Sequence, residues 1–287
     1  MTVEDRHIAS TAMDVPSDVT LAAPVVRRRG RRFRSLKSGA LVLTTQIVIV
    51  IVLLVSWEIA TSSSSLNAFL FGSPSAIWGF LVQMWEDGSL FTDTKITALE
   101  TLLGFFGGNV IGTLIGLTLW YSRFVSRVLQ PFIVAIGSIP IIALAPICII
   151  WFGTGLSSKV AMATLSVVVV ALITAYKGAM SVDLDQIYLM RTLGASKRHI
   201  FRKLIVPASL GDIFAGLKLT VGFALIGAII GEFMSSSAGL GHAIFKAGSL
   251  YIIPKVFAAL VVTIALALCL TYVVGKLEKL LTPWRQL

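Results

Sequence analysis

Three carboxylates, Glu58, Glu100 and Glu232, stand inside or at the ends of long apolar runs. Ionisable groups there are costly to bury, so each marks either a conduction path or a structural anchor. Glu58 and Glu100 fall near the expected outer ends of helices, where a side chain reaches the interface cheaply, which points to structural roles. Glu232 follows Gly227-Ala228-Ile229-Ile230-Gly231, and for it both path and packing stay open. Bond-making chemistry finds no other foothold. The sequence has no GxxxxGK(S/T) phosphate loop, GxSxG elbow, HExxH pair or dinucleotide fingerprint. Cys148 and Cys269 lie in apolar runs at a spacing that fits neither a disulfide framework nor a zinc site, so they read as packing residues. His7, His199 and His242 are scattered and suggest no metal cluster. No catalytic, cofactor-binding or metal-binding residue is assigned.

The elements that must position these groups follow from composition. The 287 residues are 56% hydrophobic and 13% charged, against about 25% charged in a soluble domain, which excludes an ordinary soluble enzyme. A bilayer core takes roughly 20 apolar residues per helix, and six runs qualify, near 39–60, 96–120, 128–152, 159–177, 213–234 and 255–276. The expected fold class is therefore all-α, a polytopic membrane protein with six transmembrane helices. Residues 1–38 are polar and end in Arg27-Arg28-Arg29-Gly30-Arg31-Arg32, which reads as a disordered basic tail. Residues 39–287 form the membrane domain. Between the first two runs, Pro74, Glu86, Asp87 and Asp93 make the chain too polar to span; an external loop with a short helix starting at Ser73-Pro74 is expected.

A net charge of +10 raises the possibility of nucleic-acid binding, but basic residues lying between apolar runs fit membrane topology instead. With both termini inside, twenty Lys and Arg lie on the cytoplasmic side, leaving Lys95, Lys159, Lys246 and Lys255 outside. That is the asymmetry expected of a multi-pass protein.

Helix packing in lipid depends on close backbone approach. Gly104, Gly108, Gly112 and Gly116, spaced by four, form one face of the second run, to dock another helix of the chain or a second subunit. Pro131, Pro140 and Pro146 interrupt the third run. Each removes a backbone donor, and such breaks persist where protein or a water-filled cavity satisfies the freed carbonyls. This run therefore either borders a pathway, with Pro140 and Pro146 on it, or is simply kinked. The segment 178–208 alternates apolar positions such as Ile187, Leu193, Phe201 and Leu204 with Arg191, Lys197, Arg198, Arg202 and Lys203. Two short amphipathic helices meeting at Gly194-Ala195-Ser196 fit this, Gly194 ending one and Ser196 capping the next. They would lie under the lipid headgroups or dock a cytoplasmic partner.

Arg191-Thr192-Leu193-Gly194-Ala195-Ser196, followed by Pro207 in Leu204-Ile205-Val206-Pro207-Ala208, resembles the EAA loop of permease subunits of binding-protein-dependent ABC importers. The resemblance is closest to the nitrate, sulfonate, taurine and pyrimidine-precursor branch. It extends from about residue 50 to the C-terminus through Trp57-Glu58, Ser73-Pro74-Ser75, the stretch from Ser138 to Pro146, Trp151-Phe152-Gly153, Gly231-Glu232-Phe233 and Gly239-Leu240-Gly241. It departs where the family begins the loop with Glu-Ala-Ala, since Tyr188, Leu189 and Met190 stand here.

The resemblance implies a type I importer fold in a bacterial cell membrane. It implies a second permease copy, identical or not, two cytoplasmic ABC ATPase subunits that carry the ATP and magnesium, and an external solute-binding protein. No cofactor is expected on this chain and no nucleic acid as partner; membrane lipid surrounds it. Tyr188, Arg191, Thr192, Leu193, Gly194, Ala195, Ser196, Phe201 and Pro207 would couple to the ATPase. The cargo would be a small anionic or polar organic solute. An ion-coupled secondary transporter or channel subunit is the alternative.

Overall fold

The computed structural model describes residues 32–63 and 67–281. The tail expected over 1–38 lies outside the described residues up to 31. Its last residues, 32–38, instead open the first helix, α1 (Arg32–Ser62). The chain divides into two compact units, residues 1–53 and 54–287. In the first, α1 is exposed throughout residues 41–53, as an apolar run facing lipid requires.

The second unit begins with the end of α1 and the short α2 (Ala68–Phe71) and α3 (Pro74–Glu86). The start of α3 is where the sequence puts it: the Ser73 hydroxyl accepts from the Ala76 N–H at 3.3 Å, and Pro74 occupies the first turn, where its missing N–H is no loss. Glu58 fixes this entry, its carboxylate accepting from the Ser75 N–H at 3.0 Å and the Ser75 hydroxyl at 2.8 Å.

Three long helices form the centre, α4 (Ser89–Thr118), α7 (Leu156–Met180) and α10 (Val206–Ser235); the run 128–152 is split into α5 (Arg123–Gly137) and α6 (Ala145–Phe152) between α4 and α7 in the chain, and the short α8 (Leu184–Thr192) and α9 (Lys197–Ile200) precede α10. α7 packs against both α4 and α10. The glycine face makes the first contact possible. A Cβ on Gly104, Gly108, Gly112 or Gly116 would lie 2.2, 2.6, 2.4 and 2.4 Å from Ala163, Val167, Val168 and Leu172 of α7. The four glycines thus serve packing within the chain. α11 (Leu240–Ser249) and α12 (Ile253–Leu281) close the fold, α12 resting on α3 and α11. No strand occurs among the described residues.

Among the described residues, five helices are long and apolar enough to cross a membrane, and a sixth span results if α5 and the residues from Ile141 to Phe152 count as one, bent by 86°. Pro140 sits at that bend as the residue before a 3-10 turn, with its carbonyl accepting from the Ala143 N–H at 2.9 Å. The other two prolines act differently from the expectation: Pro131 lies within α5, and Pro146 starts α6, a position it favours.

Candidate functional site: a capped segment, a bent span and a buried carboxylate

The segment between α7 and α10 is built by local rules. α8 ends with the Gly194 N–H donating to the Arg191 carbonyl and the Ala195 N–H to the Met190 carbonyl, both at 2.9 Å, the paired bonds of a Schellman motif. That motif needs a left-handed residue, and Gly194 has φ +79°. Two residues on, the Ser196 hydroxyl accepts from the His199 N–H at 3.3 Å and starts α9. A π-helical turn, Phe201–Ile205, then leads into α10, with the Val206 N–H reaching back to the Phe201 carbonyl. Pro207 has no N–H to offer, and the wider turn absorbs that loss.

Packing divides the segment into two faces. Ile187, Ile200 and Ile205 are buried against Leu117, Ala175, Ala179 and Val182 at the ends of α4 and α7. Leu184, Tyr188, Leu189 and Leu193 point away and are 51 to 74% exposed. Arg191, Thr192, Gly194 and Ser196 are exposed as well, whereas Phe201 is half-buried. Phe201 stacks on Trp120 and Tyr121, with ring centroids 5.7 and 4.7 Å away. Lys197 Nζ donates to the Tyr121 carbonyl at 2.5 Å and lies 5.8 and 5.7 Å from the Trp120 and Tyr121 ring centres. Trp120, Tyr121 and Lys197 in this role were not legible in the sequence, because the partners are 76 residues apart.

At the bend, a cavity of about 520 Å³ opens between α5, α7 and α10, bordered by Ile136, Ser138, Ser166, Val169, Phe223 and Ile226 among others. Ile139 and Ile141, on either side of Pro140, border it, but Pro140, Pro146 and Glu232 do not.

Glu232 lies elsewhere, 1% exposed. Its Oε1 accepts from the Thr97 hydroxyl at 2.6 Å and its Oε2 from the Gly241 N–H at 2.5 Å. Thr97 Oγ1 accepts in turn from the Leu240 N–H, and Asp93 Oδ1 from the Gly239 N–H, both at 2.8 Å. The first N–H groups of α11, which have no partner inside their own helix, are thus met by side chains of α4 and α10. A Cβ at Gly239 or Gly241 would come within 2.3 and 2.6 Å of the Glu232 carboxylate, so both glycines are dictated by space. This geometry gives Glu232 a capping contact with the start of α11. Glu100 is not at an interface as expected: it is 2% exposed, faces Glu232, and its Oε2 has no partner among the described residues.

The model of a family described as the inner membrane component of binding-protein-dependent transport systems matches residues 108–283. The chain belongs to that family. A probable ABC transporter permease protein of Haemophilus influenzae is 33% identical over 79% of this permease and 91% of its own length. The formylaminopyrimidine transport permease protein of Halalkalibacterium halodurans is 33% identical over 82% and 94%. The branch suggested by the sequence motifs is thereby the right one. A chain of the MetNI methionine ABC transporter superposes with a TM-score of 0.61 over 69% of this permease and 96% of that chain, at 20% identity, and shares its fold. Such permeases are multi-pass inner-membrane subunits, not enzymes, and work with an ATPase and a binding protein.

Proposed function

We propose that this permease forms half of the pathway of an ATP-driven importer for a small anionic or polar organic solute. Both termini lie in the cytoplasm, and the 178–208 segment docks onto a separate ATPase that binds ATP and magnesium. The observation that carries this reading is the two-faced segment itself. An apolar patch of Leu184, Tyr188, Leu189 and Leu193 stays exposed while Ile187, Ile200 and Ile205 root it in the ends of α4 and α7. An apolar patch rimmed by Arg191, Lys197 and Arg198, and held rigidly, is suited to protein docking. Loss of the family's Glu at Tyr188 removes a charge from this patch and leaves its apolar character intact.

Mechanism follows from the same arrangement. Closure of the ATPase dimer displaces the docked segment, the displacement passes to α4, α7 and α10, and the paired permeases exchange inward-open for outward-open states. The solute crosses beside the bend at Pro140, where the 520 Å³ cavity lies. The cargo class draws on relatives named for formylaminopyrimidine, aliphatic sulfonates and taurine.

Co-purification tests the docking. The chain alone should hydrolyse no ATP, and the wild type should bring down its ATPase. Gly194→Asp forces a side chain onto a φ of +79°, a strain of about 1–2 kcal/mol, and sets a carboxylate beside the patch. Association and uptake should both collapse; if both persist unaltered, the docking assignment is wrong.

A further inference from the structure

A second cavity lies beside the coupling segment, about 380 Å³ in volume, where α8, Lys197 and the turn between α4 and α5 meet. Among the described residues three cations border it, Arg123, Arg191 and Lys197, together with Trp120, Tyr121 and Tyr188, and no carboxylate does. Neither guanidinium has a hydrogen bond or ion pair to protein among the described residues. Lys197 uses one N–H on the Tyr121 carbonyl and keeps two. Of the acids in this part of the chain, Asp183 accepts from the Asp185 N–H at 3.0 Å at the start of α8, Asp212 meets Ser181, and neither these nor Asp185 lines the cavity. Two free guanidiniums and an ammonium around a polar cavity call for a compact anion with several acceptor oxygens.

Location selects the anion. The cavity sits where two apolar spans end, at Tyr121 and Met180, and its aromatic rim is typical of the depth at which headgroups lie. Basic pockets between spans on the cytoplasmic side hold anionic headgroups. We propose that this cavity binds a phosphate group, supplied by the headgroup of an anionic membrane lipid, that bridges the coupling segment to the α4–α5 turn. The proposal rests on the cytoplasmic orientation argued above. Free inorganic phosphate offers the same chemistry. The lipid brings in addition acyl chains that can lie along the exposed apolar residues Phe124, Val125 and Val128 of α5.

The test uses the complete complex, with its ATPase and binding protein, in nanodiscs of phosphatidylcholine doped with phosphatidylglycerol, read by native mass spectrometry. The wild type should retain phosphatidylglycerol. Arg123→Gln and Arg191→Gln should each lower retention about fivefold, the effect of one cation near an anionic surface, and the double variant more. Arg123→Lys should keep most of it. Both arginines are exposed and unpaired, so their loss leaves no buried group without a partner, and thermal unfolding reports folding separately. Binding of inorganic phosphate that excludes phosphatidylglycerol would assign the same site to the free anion. Equal retention of both probes by the double variant and the wild type overturns the proposal. So does loss of the ATPase from the double variant with lipid retention unchanged, which would give the arginines to the protein partner. Should the wild type fail to bring down an ATPase, the functional reading falls instead, while lipid retention by the permease still reports on the cavity.

Discussion

Glu232 shows how a buried carboxyl group, here beside Glu100, can serve structure in a transporter. A carboxylate 1% exposed is tolerable only if its oxygens are met by donors, and here one is a hydroxyl of α4 and the other the N-terminal backbone of α11. The helix dipole favours negative charge at that point. Glu232→Ala should therefore cost about 3 kcal/mol, the value of two hydrogen bonds to a charged group less the relief of its burial. Glu232→Gln should cost about half as much, since the amide oxygen can still accept. Thermal unfolding in detergent measures both, and a wild-type midpoint for Glu232→Ala would remove the capping role. None of this was legible in the sequence, because Thr97 and Leu240 reach one another across 143 residues. The turn at Gly194 and Ser196 was legible because its bonds run between residues at most five apart.

Elements repeat that distinction between local and distant causes. A glycine every fourth residue identifies a flat helix face from the sequence alone, but only the fold selects α7 as the helix that fills it. Gly108→Ala would place a Cβ 2.6 Å from Val167 and 2.8 Å from the Thr164 carbonyl, so the helices must separate. The expected loss is about 1–3 kcal/mol. Gly222→Ala, in α10 with nothing within 4 Å of the added Cβ, should be neutral or gain up to about 1 kcal/mol from helix propensity. Comparing the two unfolding midpoints isolates packing from propensity; equal shifts would mean that the glycine face does not set the α4–α7 distance. The apolar runs located the spans, yet the 86° bend and the π-turn before Pro207 were not readable. Proline shows which donor is missing, not how the backbone around it compensates. α11 escaped notice because its ten residues are too few to span and its cap comes from other helices.

On the scale of the whole molecule, the proposed cycle requires that force applied to an exposed patch move helices that never touch the ATPase. Apolar contacts such as Ile200 and Ile205 against Ala175 and Ala179 resist separation but can slide, since they lack direction. A charge-assisted bond with a ring on either side has direction. Lys197 supplies it, tying the start of α9 to the Tyr121 carbonyl and, through Trp120 and Phe201, to the end of α4. Lys197→Met retains the apolar stem and the apolar docking residues Leu184, Tyr188, Leu189 and Leu193 while removing the tie and one cation of the rim. The complete complex carrying it should still assemble and hydrolyse ATP, but solute delivered per ATP should fall about tenfold, as loss of roughly 1.4 kcal/mol of coupling implies. Lys197→Arg keeps a donor and a cation over the rings and should recover most of the ratio. A merely structural lysine would lower uptake and hydrolysis together and leave their ratio fixed, so parallel assays of uptake and phosphate release in proteoliposomes decide whether α9 and the end of α4 move as one body.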